Sequence, residues 1–266
     1  MGTVTSADGT VIGYDKTGTG PALILVDGAL CYRAFGPAKK LTEALKDRFT
    51  VYTYDRRGRG ESTDTQPYST EREIEDLAAV VKEAGGSAYV FGQSSGAALA
   101  LDAANAGVPI TKLAVYEAPF ALSPDARPER AEYYPSLTGA LAEGRRGDAV
   151  KLFMEYVGMP GPMITVMKFT PPWSKLKAVA HTLPYDRALL QGATSGQPLP
   201  KDRYAAVKLP VLSMAGGKSD EWFRTAMRQV ADRLPDAEYR TIDGQNHMLK
   251  ASAIAPVLKD FFGKDA

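Results

Sequence analysis

Val90–Ala100 reads VFGQSSGAALA and sets Ser94 between Gly92 and Gly96 in the spacing G-x-S-x-G. Glycine and serine are common, so the spacing alone says little. The flanks say more. Before it stands SAYVF, a short run rich in β-formers, with Gly85 and Gly86 just upstream. After it stands GAALALDAANAG, rich in alanine and leucine and closed by Gly107 and Pro109. The order predicts strand, sharp turn, helix. Glycines at 92 and 96 let the two backbones pack closely, where a Cβ would intrude. Such a turn lifts the serine hydroxyl over the end of the strand. The bland alternative is a turn of small packing residues.

Outward from this point the same rhythm recurs. TVTSADGTVIGYDKTG predicts a hairpin turning at Asp8-Gly9. PALILVDG is a continuous apolar run, as in a strand buried on both faces. FGPAKKLTEALKDRF and TEREIEDLAAVVKEAG read as helices, with the strand TVYTYD between them. KLAVYEAPF is the strand after the serine helix. Strand alternating with helix calls for a mainly parallel sheet covered on both faces. From about Phe120 to Tyr204 the pattern changes to helical and irregular segments with no convincing strand. Alternation then resumes in LPVLSMAGG, EWFRTAMRQVADRLP, AEYRTID and AIAPVLKDFF. The expected organisation is a core of residues 1–120 and 205–266 with an inserted helical cap, 121–204.

The chain has 266 residues, 32 basic and 31 acidic. That balance argues against nucleic acid or an anionic membrane as partner. No apolar run approaches a membrane span. One cysteine, Cys31, excludes an intrachain disulfide. The first residues show neither a basic nor an apolar leader region, so a cytoplasmic protein, monomer or homodimer, is expected. No cofactor or metal motif is evident.

A serine nucleophile needs a base, and the chain has only two histidines. His247 lies in IDGQNHML, after the last expected strand. Parallel strands share one carboxyl edge, so Ser94 and His247 fall on it together. His181 lies in the cap and reads as a packing or pocket-lining residue.

VDGAL, YDRRGRGES, GQSSG, VYEAPF, GGKSDEW and GQNH together resemble the α/β-hydrolase superfamily over nearly the whole chain. The likeness is greatest to small serine hydrolases of actinobacterial type. The resemblance implies an eight-stranded, mainly parallel sheet, a cap between its sixth and seventh core strands and a Ser-His-acid triad. It implies an oxyanion hole made by the backbone N–H groups of Ala29 and Ser95. Asp27-Gly28 stands where many relatives have His-Gly, and a structural role is expected for Asp27. Cys31 reads as a small packed thiol. Two carboxylates compete for the acid: Asp220, after the seventh strand, where most relatives place it, and Glu117, at the end of the sixth. The closest-looking relatives tilt the choice to Glu117. Asp243 is assigned to its turn.

In isolation YDRRGRGES looks like an RNA-binding run, but relatives use D-x-R-G-x-G-x-S to tie a loop. Tyr133, Tyr134, Phe153, Tyr156, Phe169 and Trp173 form either a roof over the serine or the cap's own core. The implied activity is hydrolysis of a carboxylic ester, thioester or lactone of a small to medium, partly apolar substrate. The same fold also hosts C–C bond hydrolysis, lyase and cyclisation chemistry, and ligand receptors that keep a triad.

Overall fold

The computed structural model describes residues 1–124, 126 and 131–263. Eight strands form one sheet: β1 (Gly2–Thr5), β2 (Val11–Thr17), β3 (Ala22–Val26), β4 (Thr50–Tyr54), β5 (Ala88–Gln93), β6 (Ile110–Tyr116), β7 (Val211–Gly216) and β8 (Ala237–Ile242). Their order across the sheet is β1-β2-β4-β3-β5-β6-β7-β8. The β1–β2 and β2–β4 pairs are antiparallel, and every pair from β4 onward is parallel. This is the α/β-hydrolase arrangement that the sequence motifs imply.

Helices α1 (Ala38–Leu45), α2 (Thr70–Glu83), α3 (Ser95–Asn105), α9 (Glu221–Arg233) and α10 (Ala251–Gly263) flank the sheet. Strand β3 shows why both faces must be covered. Leu23 and Leu25 join one buried cluster with α1 and α10, while Ile24 and Val26 join the other with α2 and α3. Alternate side chains of a strand point to opposite faces, so an unbroken apolar run requires two cores. Helix α3 is nearly all Ala, Gly and Leu and buries nine of its eleven residues. Small side chains let it lie close against the sheet.

Between β6 and β7 lie α4 (Tyr133–Ala142), α5 (Arg146–Tyr156), α6 (Gly161–Met167), α7 (Pro171–Val179), a 3-10 turn (Ala180–Thr182) and α8 (Leu183–Leu189). The sequence pattern did not anticipate α6, which is short and follows Pro160 directly. These helices share a third cluster, including Leu137, Val150, Ile164, Trp173 and Leu176, which also takes in Leu30 from the loop after β3. Further on, Leu189, Leu190, Ala193, Leu199, Tyr204 and Val207 pack into the main core instead. Among the described residues, no helix is long and apolar enough to cross a membrane.

Candidate active site

Ser94 sits between β5 and α3 with φ 53° and ψ −132°. An L-residue held there costs about 1–3 kcal/mol. The turn persists because its surroundings leave no alternative. A Cβ on Gly96 would strike the Val26 carbonyl oxygen, and one on Gly92 would lie 2.8 Å from Ala97 Cα. The Ser94 amide donates to the Tyr116 carbonyl at 2.9 Å, which pins the turn to β6.

Four non-glycine residues have positive φ among those described: Leu30, Ser94, Glu117 and Tyr204. Three of the four are expected site residues or their immediate neighbours. Backbone outliers of this kind concentrate at functional sites.

Glu117 is fully buried just past β6. Its φ of 47° turns the carboxylate toward the ends of β7 and β8. There Oε1 accepts the Gly216 amide at 2.7 Å and the Ser219 hydroxyl in a short bond. Oε2 lies 2.8 Å from His247 Nδ1. The other carboxylate, Asp220, is exposed at the start of α9 and is not the one bonded to His247. Its neighbour Ser219 faces inward in its place. Asp243 is exposed beside the Gly244 turn.

His247 is 40% exposed at its side chain. Its loop is tied down by Tyr116, whose hydroxyl donates to the Asn246 carbonyl at 2.8 Å. The Phe223 ring stacks on the imidazole with centroids 4.8 Å apart. Engagement of Nδ1 leaves Nε2 as the free ring nitrogen.

The loop after β3 faces the serine. A Cβ at Gly28 would lie 2.8 Å from Ser94 Cβ and 3.3 Å from its Oγ, so glycine alone allows this approach. Ala29 follows. Asp27 is buried beside Gln93, whose amide nitrogen lies 3.4 Å from Oδ1. Burial pushes the Asp27 carboxyl up to about 7, against the pull of Arg59 and Arg56. Burial also pushes the Cys31 thiol up to about 12, which leaves it a neutral packing group.

The arginines of YDRRGRGES are wholly inside. Arg57 pairs with Asp76 at 2.7 Å and Asp8 at 2.9 Å, and Arg56 forks onto Glu73 at 2.7 Å through Nε and Nη2. Buried and paired guanidinium groups offer nothing to a phosphate backbone. Asp186, from α8, joins Arg56, Arg59 and Ser95.

The aromatic residues of the helical segment divide. Tyr133, Tyr134, Phe153 and Trp173 belong to the third cluster together with Ala29 and Leu30. Tyr133 stacks on Tyr156 at 4.3 Å, and Phe169 is 88% exposed. His181 is half-buried with Nδ1 unpartnered, and burial lowers its pKa. Among the described residues no group of three or more His, Cys, Asp or Glu side chains is placed to hold a metal ion.

Three residues that complete this geometry escaped the sequence reading: Ser219, Tyr116 and Asp186. Only Ser219 had a local signal, its place beside the favoured acid position in GGKSDEW.

Comparison with known proteins agrees with the fold. The model of the alpha/beta hydrolase family matches residues 18–254. The crystal structure of an alpha/beta hydrolase from Sphaerobacter thermophilus DSM 20745 is similar at 48% identity and TM-score 0.90, over 98% of this chain and 100% of that one. The Burkholderia xenovorans LB400 enol-lactonase shares the fold at 20% identity and TM-score 0.70, over 99% and 100% of the two chains. A Bacillus subtilis (strain 168) protein, uncharacterized hydrolase YraK, is 37% identical over 101 residues. That match spans 35% of each protein.

Proposed function

This chain belongs to the alpha/beta hydrolase family, and from that premise we propose that it is a serine hydrolase of carboxylic esters, thioesters or lactones. The observation that carries the reading is the Glu117–His247 pair at 2.8 Å, on the sheet edge that also holds the strained Ser94. Ser94 Oγ attacks the substrate carbonyl while His247 Nε2 takes its proton. Glu117 holds the imidazole through Nδ1 and stabilises the imidazolium that forms. The Ala29 and Ser95 amides bind the oxyanion. The imidazolium then protonates the leaving group, and water repeats the sequence on the acyl-enzyme.

The segment 121–204 is the cap in this reading. Its third cluster reaches Ala29 and Leu30, so the apolar wall nearest the oxyanion loop favours a partly apolar acyl group.

Intact-mass spectrometry with a fluorophosphonate tests the mechanism. The wild type is expected to gain one adduct and Ser94→Ala none, because Ala preserves the small-residue turn while removing the nucleophile. An adduct of equal yield on Ser94→Ala overturns the assignment. Product analysis with ester and C–C substrates separates ester hydrolysis from carbon–carbon cleavage or cyclisation at the same serine.

A further inference from the structure

We infer that Arg59, locked by the carboxylate of Asp186, is the positioning residue of the oxyanion hole. The inference rests on the serine-hydrolase reading above and goes beyond it.

Ala29 N–H and Gly28 C=O belong to one peptide group. In a trans peptide they point in opposite directions. Whatever fixes the carbonyl therefore aims the amide. Arg59 Nη1 donates to Gly28 O at 2.7 Å and to Cys31 O at 3.2 Å, gripping both ends of the turn. Leu30, inside that turn, is held at φ 60°. With Gly28 O directed at the guanidinium, Ala29 N–H is directed away from it, and the adjoining Gly28 Cα is packed against Ser94. A cation on the carbonyl also draws density from the amide nitrogen and strengthens its N–H as a donor.

The second donor is tied to the same anchor. Ser95 Oγ donates to Asp186 Oδ1 at 2.7 Å, which fixes the residue whose backbone N–H opens α3. Asp186 Oδ1 also accepts Arg56 Nη1 at 2.7 Å, and Oδ2 accepts Arg59 Nη2 at 2.8 Å. Arg56 continues the frame to the Asp27 carbonyl at 3.3 Å and to Glu73. One carboxylate from α8 thus sets the relative position of two amides that are 66 residues apart in sequence. Arg56, Arg59, Ser95 and Asp186 are all buried, so bulk solvent screens the frame little.

A merely structural Arg59 would affect folding. A positioning Arg59 affects the transition state and leaves ground-state binding alone. The test uses p-nitrophenyl acetate as substrate and an alkyl trifluoromethyl ketone, whose hemiketal oxyanion occupies the hole, as inhibitor. Arg59→Met is expected to lower kcat about thirtyfold, short of the hundredfold or more for deleting a donor outright. KM should stay within about twofold, and inhibitor affinity should fall by the same factor as kcat/KM. Arg59→Lys, which keeps a cation within reach of Gly28 O, should restore most of the loss. Ser95→Ala keeps every buried charge paired and should lower kcat about fivefold. A folded Arg59→Met with unchanged kcat and inhibitor binding, or a loss confined to KM, overturns the proposal. If Arg59→Met does not fold, an unchanged kcat in Ser95→Ala overturns it. The wild type and Ser94→Ala binding the ketone equally well would instead refute the serine mechanism, and the inference with it.

Discussion

At the carboxyl edge of the sheet, Glu117 is wholly buried and its carboxylate takes hydrogen bonds from Gly216, Ser219 and His247. In the helical segment between β6 and β7, Met163, Val166 and Phe169 are exposed. The edge is over-determined. Glu117 is held from the ends of β7 and β8, and Ser94 from the end of β6 and the loop after β3, which is what lets both keep strained backbones. The helical segment is held chiefly by its own apolar cluster. The contrast teaches where substitutions should touch chemistry and where they should touch only shape. Asp186 crosses the divide, since it leaves α8 to join Arg59 and Ser95 behind the loop after β3.

The largest effect should come from the edge. Glu117→Gln is expected to lower kcat by about three to four orders of magnitude at neutral pH, since a triad carboxylate sets the histidine tautomer and steadies the imidazolium. The same amide exchange in a serine protease costs about four orders. Asp220→Asn should cost less than about threefold, because that carboxylate is exposed and not bonded to His247. Steady-state kinetics on a chromogenic ester, with circular dichroism to confirm folding, reads both. The reverse ranking would show that the bond between Glu117 and His247 does not serve turnover.

That contest between two carboxylates also marks how far the sequence can be read. The alternation of apolar runs and amphipathic helices was enough for the sheet, because burial on two faces writes itself into β3 and β6 directly. Ser94 was legible from two glycines whose purpose is local. His247 followed because only two histidines exist. The carboxylate bonded to His247 was not legible in the local pattern, since GGKSDEW and VYEAPF each end a parallel strand and each offers one, and only the resemblance tilted the choice to Glu117. What separates them is a backbone angle at residue 117 and a hydroxyl at 219, and neither has a periodic signature. The frame was hidden further. Arg59 and Asp186 stand 127 residues apart, and LPYDRALL reads as any helix with a surface acid.

A smaller effect, on stability, should come from Asp27. In the folded chain burial holds its carboxyl protonated up to about pH 7, against an ordinary value of 3.8. Between those limits the folded state binds more protons than the unfolded one. By linkage, stability therefore falls as pH rises through that window. Asp27→Asn replaces the neutral acid with a neutral amide and removes this dependence. Thermal melts should place wild type and variant close together near pH 4. The variant should melt several degrees higher at pH 8, with a ceiling of about 4 kcal/mol from the size of the shift. Equal melting temperatures at both pH values would show that Asp27 ionises freely in the fold, and the buried account of the loop after β3 would fail.

The smallest effect tests the other side of the contrast. Phe169 ends the turn after α6 and is 88% exposed, whereas Trp173, four residues on, is 8% exposed inside the third cluster. Both are aromatic, both lie in the helical segment, and sequence alone gives them equal standing as a roof over the serine. Exposure separates them. An exposed side chain that contacts little should change stability by no more than about 0.5 kcal/mol when replaced. Phe169→Ser is thus expected to leave the denaturant midpoint unmoved and kcat/KM on p-nitrophenyl acetate within about twofold. Emptying the Trp173 site by Trp173→Ala should cost about 3–5 kcal/mol, as for a large aromatic in a packed core. The informative failure is a tenfold or greater loss of kcat/KM in a Phe169→Ser variant that melts normally. That result would mean that the exposed turn after α6 reaches the substrate during turnover. The helical segment would then contribute contacts to catalysis, and the contrast between a fixed edge and a purely shape-giving helical segment would have to be redrawn.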